Sequence, residues 1–164
     1  MYMLNLKVVD NIVRTIWKNR GSEIVTIKQR VKIACETSGI NLGDIASKMG
    51  ISQSTFSTRL KTGKFTKGEL KQIAELLNCK YTSYFKFSNG SVISANSTGD
   101  EIKNACEYAN MTATDLGRKM GITQPAISSR LRTGKFTHDE LKMIAAMIGC
   151  EYESKFEFEN GLKI

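Results

Sequence analysis

The chain has 164 residues, with 24 lysines and arginines, 16 aspartates and glutamates, and a formal net charge of +8. Its length fits one ordinary domain or two small ones, and a content of 41% hydrophobic residues with a single proline excludes a disordered chain. The sequence has no apolar run of about 18 residues and its N-terminus is too polar for a secretory signal, so we expect a cytoplasmic protein without membrane spans. The excess of positive charge favours polyanionic partners.

Residues 1–26 are predicted to form an amphipathic helical extension. Their apolar residues recur in pairs about every four positions, which is a helical spacing and not that of a strand. These residues are Val8, Val9, Ile12, Val13, Ile16 and Trp17. We favour packing of this helix on the rest of the protein, and binding of another protein is the alternative.

From residue 27 onward the sequence repeats itself. A shift of 71 residues aligns segment 49–66, MGISQSTFSTRLKTGKFT, with segment 120–137, MGITQPAISSRLRTGKFT, without a gap. Self-similarity at a fixed period indicates a duplicated structural unit. We therefore expect two homologous domains and a short linker, at residues 27–93, 98–164 and 94–97 respectively.

Each unit is predicted to contain four helices and a C-terminal β-hairpin, so the expected fold is mainly α with small β-hairpins (α+β). In the second unit the first helix should start after Thr98, with Glu101 as its capping-box partner. The other helices should begin at polar caps, which are Asn41, Ser52 and Thr66 and their counterparts Thr112, Thr123 and Thr137. The residues expected to end them are Gly50, Gly63 and Asn78 and, in the second unit, Gly121, Gly134 and Gly149. Aromatic alternation before Asn89-Gly90 and Asn160-Gly161 predicts the two hairpins.

Four cysteines and one histidine are present, and no two cysteines form a C-x-x-C pair. This spacing matches no usual zinc site, so we expect no metal and no cofactor. Reduced, buried thiols are the preferred interpretation of Cys35, Cys79, Cys106 and Cys150.

Segment 44–60 and its counterpart 115–131 contain the candidate functional residues. Ala46 or Gly117 provides a small residue where two short helices touch, and a glycine forms the turn that follows. The start of the next helix then presents short polar side chains, which can bond to base edges in the major groove of DNA. Basic residues follow at positions suited to phosphates.

The candidate DNA-binding residues of the two units form matching sets. Those of the first unit are Ser52, Gln53, Ser54, Thr55, Ser57, Thr58, Arg59, Lys61 and Lys64. Those of the second unit are Thr123, Gln124, Pro125, Ser128, Ser129, Arg130, Arg132 and Lys135. Taken singly, such residues are often caps or an ordinary solvated face. Their joint occurrence, twice in the same frame, favours nucleic-acid binding or descent from it.

At these residues the chain resembles the Xre/Cro/phage-repressor family of helix-turn-helix DNA-binding proteins. The likeness covers about 27–78 and 98–149, and it rests on the spacing of Ala46 and Gly50, the apolar residue after that glycine and the Ser-Gln start of the third helix. The resemblance implies lambda-repressor-like helical units, sequence-specific operator binding and, usually, dimerisation. It implies that bases are read by Gln53, Ser54, Ser57 and Thr58, and in the second unit by Gln124, Pro125, Ser128 and Ser129.

The sequence departs from the family pattern at three places. The family commonly has a glutamine that touches phosphate just after the cap of the second helix, where this chain has Leu42 and Ala113. The segment from the third helix to Gly63 is one residue longer than the commonest pattern. Pro125 removes an amide and a flexible side chain, so we expect the second unit to read fewer bases.

Charge is divided unequally between the units. Residues 27–93 carry a net charge of +7 and residues 98–164 a net charge of −1. Lys80 and Lys86 of the first hairpin correspond to Glu151 and Glu157 of the second. We therefore expect the hairpins to pair with each other in a four-stranded sheet, which would make the chain a covalent pseudo-dimer. Its two recognition helices would then address successive major grooves about 34 Å apart.

The sequence predicts a sequence-specific double-stranded DNA-binding protein, a transcriptional regulator of bacterial, phage or mobile-element origin. We expect no enzymatic activity, because no catalytic triad, phosphate loop or carboxylate pair is evident. The alternative is a protein-binding antirepressor or inhibitor on a repurposed scaffold, with a homodimer or protein partner bound through the N-terminal helix or the hairpins. RNA binding is less favoured, because the sequence shows no exposed aromatic stacking platform.

Overall fold

A computed structural model of the protein describes residues 25–164. This part of the chain is mainly helical, with eight helices and one small sheet. The helices are α1 (Ile27–Ser38), α2 (Leu42–Lys48), α3 (Gln53–Thr62), α4 (Lys67–Leu76), α5 (Thr98–Tyr108), α6 (Ala113–Lys119), α7 (Gln124–Thr133) and α8 (His138–Ile148). The strands are β1 (Cys79–Lys86), β2 (Val92–Ile93) and β3 (Glu151–Phe158). The predicted helical extension at residues 1–26 lies outside the described residues, apart from its last two.

Polar caps begin the helices where the sequence predicts them. The side-chain oxygens of Asn41, Ser52, Thr112 and Thr123 each accept the backbone N–H three residues later. Thr137 and Glu140 form a capping box at the start of α8. At the other end of the helices, Asn78 adopts a φ of 52° and Gly149 a φ of 89°, which confirms the predicted left-handed residues.

The predicted start of α5 is wrong by one residue. Ser97, and not Thr98, is the N-cap, because its hydroxyl accepts the backbone N–H of Asp100 at 3.0 Å. Glu101 is therefore no capping partner: its side chain turns inward and is fully buried. Ser97 was expected in the linker, and its capping hydrogen bond attaches it to the helix.

The described chain divides into two compact units whose boundaries differ from those of the sequence repeat. The first unit contains residues 25–63, Lys71–Lys80 and Phe156–Ile164. The second contains Lys64–Leu70 and Tyr81–Lys155. Each unit therefore includes segments of both sequence repeats. The first unit contains the end of the second hairpin, and the second unit contains most of the first hairpin.

The core of the second unit shows what this exchange contributes. Phe85, which belongs to the first sequence repeat, is fully buried in an apolar cluster otherwise formed by residues between Ile102 and Tyr152. Its ring centroid lies 5.1 Å from that of Tyr152. An aromatic side chain buries about 150–250 Å² of surface, so Phe85 is a substantial part of this core.

The sheet has the strand order β2-β1-β3, so β1 lies beside the strand from the second repeat. β1 and β2 are antiparallel, with Phe85 opposite Ile93. The expected fourth strand is reduced to an isolated bridge: after the turn at Gly161, Lys163 lies opposite Glu157 on β3, and Phe156 and Ile164 exchange two backbone hydrogen bonds of 2.8 Å.

The charge pairing between the hairpins also differs from the expectation. Lys86 pairs with Glu153 at 3.3 Å, and not with Glu151 or Glu157. The Tyr84 hydroxyl donates to the same carboxylate. The hydrogen bond from Tyr84 lowers the pKa of Glu153 below its usual value, and the hydrogen bond and positive charge of Lys86 lower it further.

Replacement of Gly99 by alanine should severely destabilise the second unit. An added Cβ would lie 1.8 Å from the carbonyl oxygen of Leu131, so the backbones of α5 and α7 would have to separate. We expect a loss of about 3 kcal/mol or more in the free energy of unfolding, measured by urea denaturation.

Gly68→Ala is the matched control, because Gly68 lies in α4 and an added Cβ would meet only the Thr66 hydroxyl at 4.0 Å. This substitution should stabilise the protein by about 0.5–1 kcal/mol. Equal stabilities for the two variants would contradict the close approach of α5 to α7.

Candidate nucleic-acid interface

In the first unit, α2 and α3 are joined by a tight turn. Gly50 has a φ of 70°, a conformation that costs little only for glycine, and the backbone N–H of Ile51 donates to the carbonyl oxygen of Ala46 at 3.0 Å. Ala46 is buried beneath the turn, and fully buried Phe56 fixes the inner side of α3. The N-terminal turn of α3 is therefore held with its polar side outward.

The second unit repeats this local geometry with different side chains. Gly121 also has a φ of 70°, and Ile122 donates to the carbonyl oxygen of Gly117 at 3.0 Å. A Cβ at Gly117 would lie 2.9 Å from Cγ2 of buried Ile127. The expected need for a small residue between the two helices is therefore confirmed here.

The predicted base-reading residues of the first unit lie at the surface. Ser52, Gln53, Ser54, Thr55 and Thr58 are exposed, and Ser57 is half-buried. The Ser52 hydroxyl lies 2.9 Å from the Ser54 hydroxyl and 2.8 Å from that of Thr55. These hydroxyls form a local network, and the Gln53 amide stands beside it at the first position of α3.

The corresponding surface of the second unit is more constrained. Gln124, Pro125, Ser128 and Ser129 are all exposed, but Gln124 Nε2 donates to the Ser128 hydroxyl at 3.2 Å. Pro125 occupies the first turn of α7 and has no N–H to offer. This bond occupies one of the two amide N–H groups of Gln124 and orients the side chain, so a ligand meets a less adaptable amide here than at Gln53.

Four of the predicted phosphate-contacting residues are exposed. They are Lys61, Lys64, Arg132 and Lys135. None of them forms an ion pair with another residue of the range 25–164. These four predicted cations are thus accessible to an anionic ligand.

Arg130, which the sequence predicts to contact phosphate, makes several contacts within the protein. Its guanidinium lies 2.6 Å from the Glu140 carboxylate and 3.2 Å from the carbonyl oxygen of Lys135, and it stacks 4.5 Å from the centroid of the Phe136 ring. These contacts attach α7 to the start of α8. The equivalent residue Arg59 is half-buried.

Glu140 is the residue near this surface that sequence reasoning missed. The Thr137–Glu140 capping box was readable, but the contact with Arg130 spans ten residues and depends on the tertiary fold. Partial burial alone would raise the pKa of Glu140. The Thr137 backbone N–H and the Arg130 guanidinium outweigh it, so this pKa lies below its usual value of 4.5.

The cysteines do not contribute to this surface, and the expectation of buried thiols holds for two of them. Cys35 and Cys106 are buried, whereas Cys79 and Cys150 are half-buried, and all four are free. Burial raises the pKa of Cys35 to about 12 and that of the other three to about 11, so the thiols stay protonated at neutral pH.

No protein-family model matches the chain, and comparison with curated proteins and with solved structures gives no match. Among residues 25–164, no helix combines the length and the apolar character needed to cross a membrane.

Acid should weaken the Arg130–Glu140 contact. Because the folded-state pKa of Glu140 is lowered, its contribution to stability is present above the usual carboxyl pKa of 4.5 and is lost as the pH falls through the folded value. The free energy of unfolding, measured with urea, should therefore fall less in Glu140→Gln than in the wild type when the pH is lowered from neutral to below 4.5.

The control for this experiment is Glu107→Gln, which removes an exposed carboxylate from α5. It should follow the wild-type dependence on pH. An unchanged dependence in Glu140→Gln would show that Glu140 does not contribute in this way.

Proposed function

We propose that the chain binds double-stranded DNA in a sequence-specific manner, as a transcriptional regulator with two helix-turn-helix units and no catalytic role. The observation that carries this proposal is the recurrent surface of α3 and α7. In each unit a fully buried residue, Phe56 in α3 or Ile127 in α7, attaches the inner side of the helix to the core. The first turn of the helix exposes polar side chains, and exposed cations follow in the sequence.

The chemistry of this surface suits duplex DNA. The Gln53 amide can donate and accept at the same time, which matches the N6 and N7 edge of adenine in the major groove. The free backbone N–H groups of a helix N-terminus favour nearby phosphates. Lys61 and Lys64, exposed at the other end of α3, add charge for the sugar–phosphate backbone.

The two units are proposed to be unequal readers. In the second unit the Gln124 amide is bonded to Ser128, Pro125 lacks an N–H, and the Arg130 guanidinium is held by Glu140. The first repeat also carries most of the net charge. We therefore assign the main share of affinity and base reading to the first unit.

We further propose that the chain is a covalent pseudo-dimer. Two ion pairs support this, because each joins a residue of the first repeat to one of the second. They are Lys67–Glu101 at 2.7 Å and Lys86–Glu153 at 3.3 Å. A dimeric arrangement within one chain would present two reading helices to two half-sites of an operator.

The double variant Lys61→Ala/Lys64→Ala should bind DNA more weakly and with less dependence on salt. Each lost phosphate contact lowers the slope of log K against log salt concentration by about 0.9, so we expect a change of nearly two units. Mobility shifts or fluorescence anisotropy with a duplex, measured over a range of salt concentrations, give this slope.

The charge-matched control is Lys80→Ala, because Lys80 is exposed on β1 and away from α3. It should change the slope by less than half as much. If the wild-type protein bound no duplex even at low salt, the proposal would be contradicted and the protein-binding antirepressor would be favoured.

Gln53→Ala should relax sequence selectivity without abolishing binding. Loss of a bidentate contact to a base costs about 1–3 kcal/mol on the preferred site and little on random DNA. Selection of bound sequences from a random duplex pool should show one base position losing its preference in Gln53→Ala. Gln124→Ala should change the selected sequences less, and the opposite order would contradict the assignment of the main reader.

A further inference from the structure

The second unit buries an ion pair that joins the two sequence repeats. Lys67 Nζ lies 2.7 Å from Glu101 Oε2, and their side chains are only 4% and 0% exposed. Lys67 also donates to the carbonyl oxygen of Ala95 at 3.4 Å. Burying two charges is costly unless both are well paired, so a pair of this kind is weak evidence for stability and better understood through specificity.

The repeat makes it possible to ask what each residue would meet in a different pairing. With the shift of 71 residues, Lys67 corresponds to His138 and Glu101 corresponds to Arg30. If a first repeat paired with another first repeat in the same geometry, Lys67 would face Arg30 at the buried position. Two cations would then be desolvated against each other, which costs several kcal/mol.

The charges on the sheet disfavour the other self-pairing. Lys86 and Glu153 lie 3.3 Å apart between neighbouring strands, and by the same shift they correspond to Glu157 and Thr82. If a second repeat paired with another second repeat, Glu157 would face Glu153. Like charges opposite each other on adjacent strands are destabilising.

We propose that these two ion pairs determine which repeat pairs with which. They favour pairing of the first repeat with the second, and they disfavour a dimer in which the first repeats of two copies pair with each other and the second repeats do the same. Each like-with-like arrangement contains at least one pair of equal charges, whereas the arrangement within the chain contains two opposite pairs. Specificity of this kind arises from repulsion in the wrong complex as much as from attraction in the right one.

Exchange between copies is a real alternative because the chain already exchanges hairpin segments internally. Phe85 of the first repeat is buried in a core formed mostly by the second repeat. Two copies could instead exchange hairpins first repeat with first and second with second, and exchange of identical elements is a low-cost route to dimers. This inference concerns pairing of the repeats and does not depend on DNA binding.

The test is to make the first repeat complementary to itself. In Arg30→Glu, Lys67 of one copy could pair with the introduced carboxylate of another copy. The double variant Arg30→Glu/Glu101→Arg would also place a cation beside Lys67 within its own chain, which weakens the pairing inside the chain. Full-length chains are unfolded in denaturant and refolded at low and high concentration, and the dimer fraction is measured by size exclusion with light scattering. Lys32→Glu is the matched control, because Lys32 is exposed on the same helix and the change in charge is identical.

The dimer fraction of Arg30→Glu at matched concentration should exceed that of the wild type and of Lys32→Glu by roughly tenfold or more, and the double variant should dimerise further. Association through any other surface contributes equally to all samples and cancels in this comparison. Folded Arg30→Glu and double-variant chains with the dimer fraction of Lys32→Glu would overturn the proposal.

Should the Arg30 variants fail to fold, Lys67→Met/Glu101→Leu decides the question. This variant fills the buried position with apolar side chains of similar size, a change that proteins often tolerate. It removes the repulsion against self-pairing, so its dimer fraction after refolding at high concentration should rise above that of the wild type. A dimer fraction equal to the wild-type value would contradict the proposal.

Discussion

The burial of Phe85 is the constraint on which the second unit depends. This side chain is fully buried in a cluster formed mostly by apolar residues of the second repeat, although it comes from a strand of the first. Without β1, the cluster would lose a fully buried aromatic ring that contacts Tyr152. Because the core includes a segment of each repeat, neither sequence repeat is by itself a complete structural unit.

Polar groups that support this arrangement are placed near the exchanged segments. The isolated bridge between Thr66 and Thr137 and the hydrogen bond from the His138 backbone N–H to the Phe65 carbonyl oxygen, at 3.0 Å, join the starts of α4 and α8 within the second unit. The buried Lys67–Glu101 pair lies beside them in sequence. Apolar burial provides most of the stabilisation, whereas these directional contacts restrict which segments can meet.

The candidate interface is simpler, because it depends on contacts that are short in sequence. The α2–turn–α3 segment is organised by the N-caps Asn41 and Ser52, by Gly50 in its left-handed conformation and by the buried Phe56. The sequence was therefore sufficient to predict the exposed Gln53 and its neighbours. It was insufficient for Arg130, because the same basic residue type can face a phosphate or an internal carboxylate, and only Glu140 on the next helix distinguishes the two.

The sequence by itself determined the repeat, the α+β character and most helix boundaries between residues 25 and 164. These features arise from local chemistry, such as capping side chains, left-handed residues and apolar periodicity, which operates within a few residues. Only the tertiary structure decided that Glu101 is buried against Lys67, that Glu153 is the partner of Lys86, and that Phe85 completes the core of the other repeat. Those outcomes depend on which distant segments approach each other, and the capping and periodicity that the two repeats share do not specify those approaches.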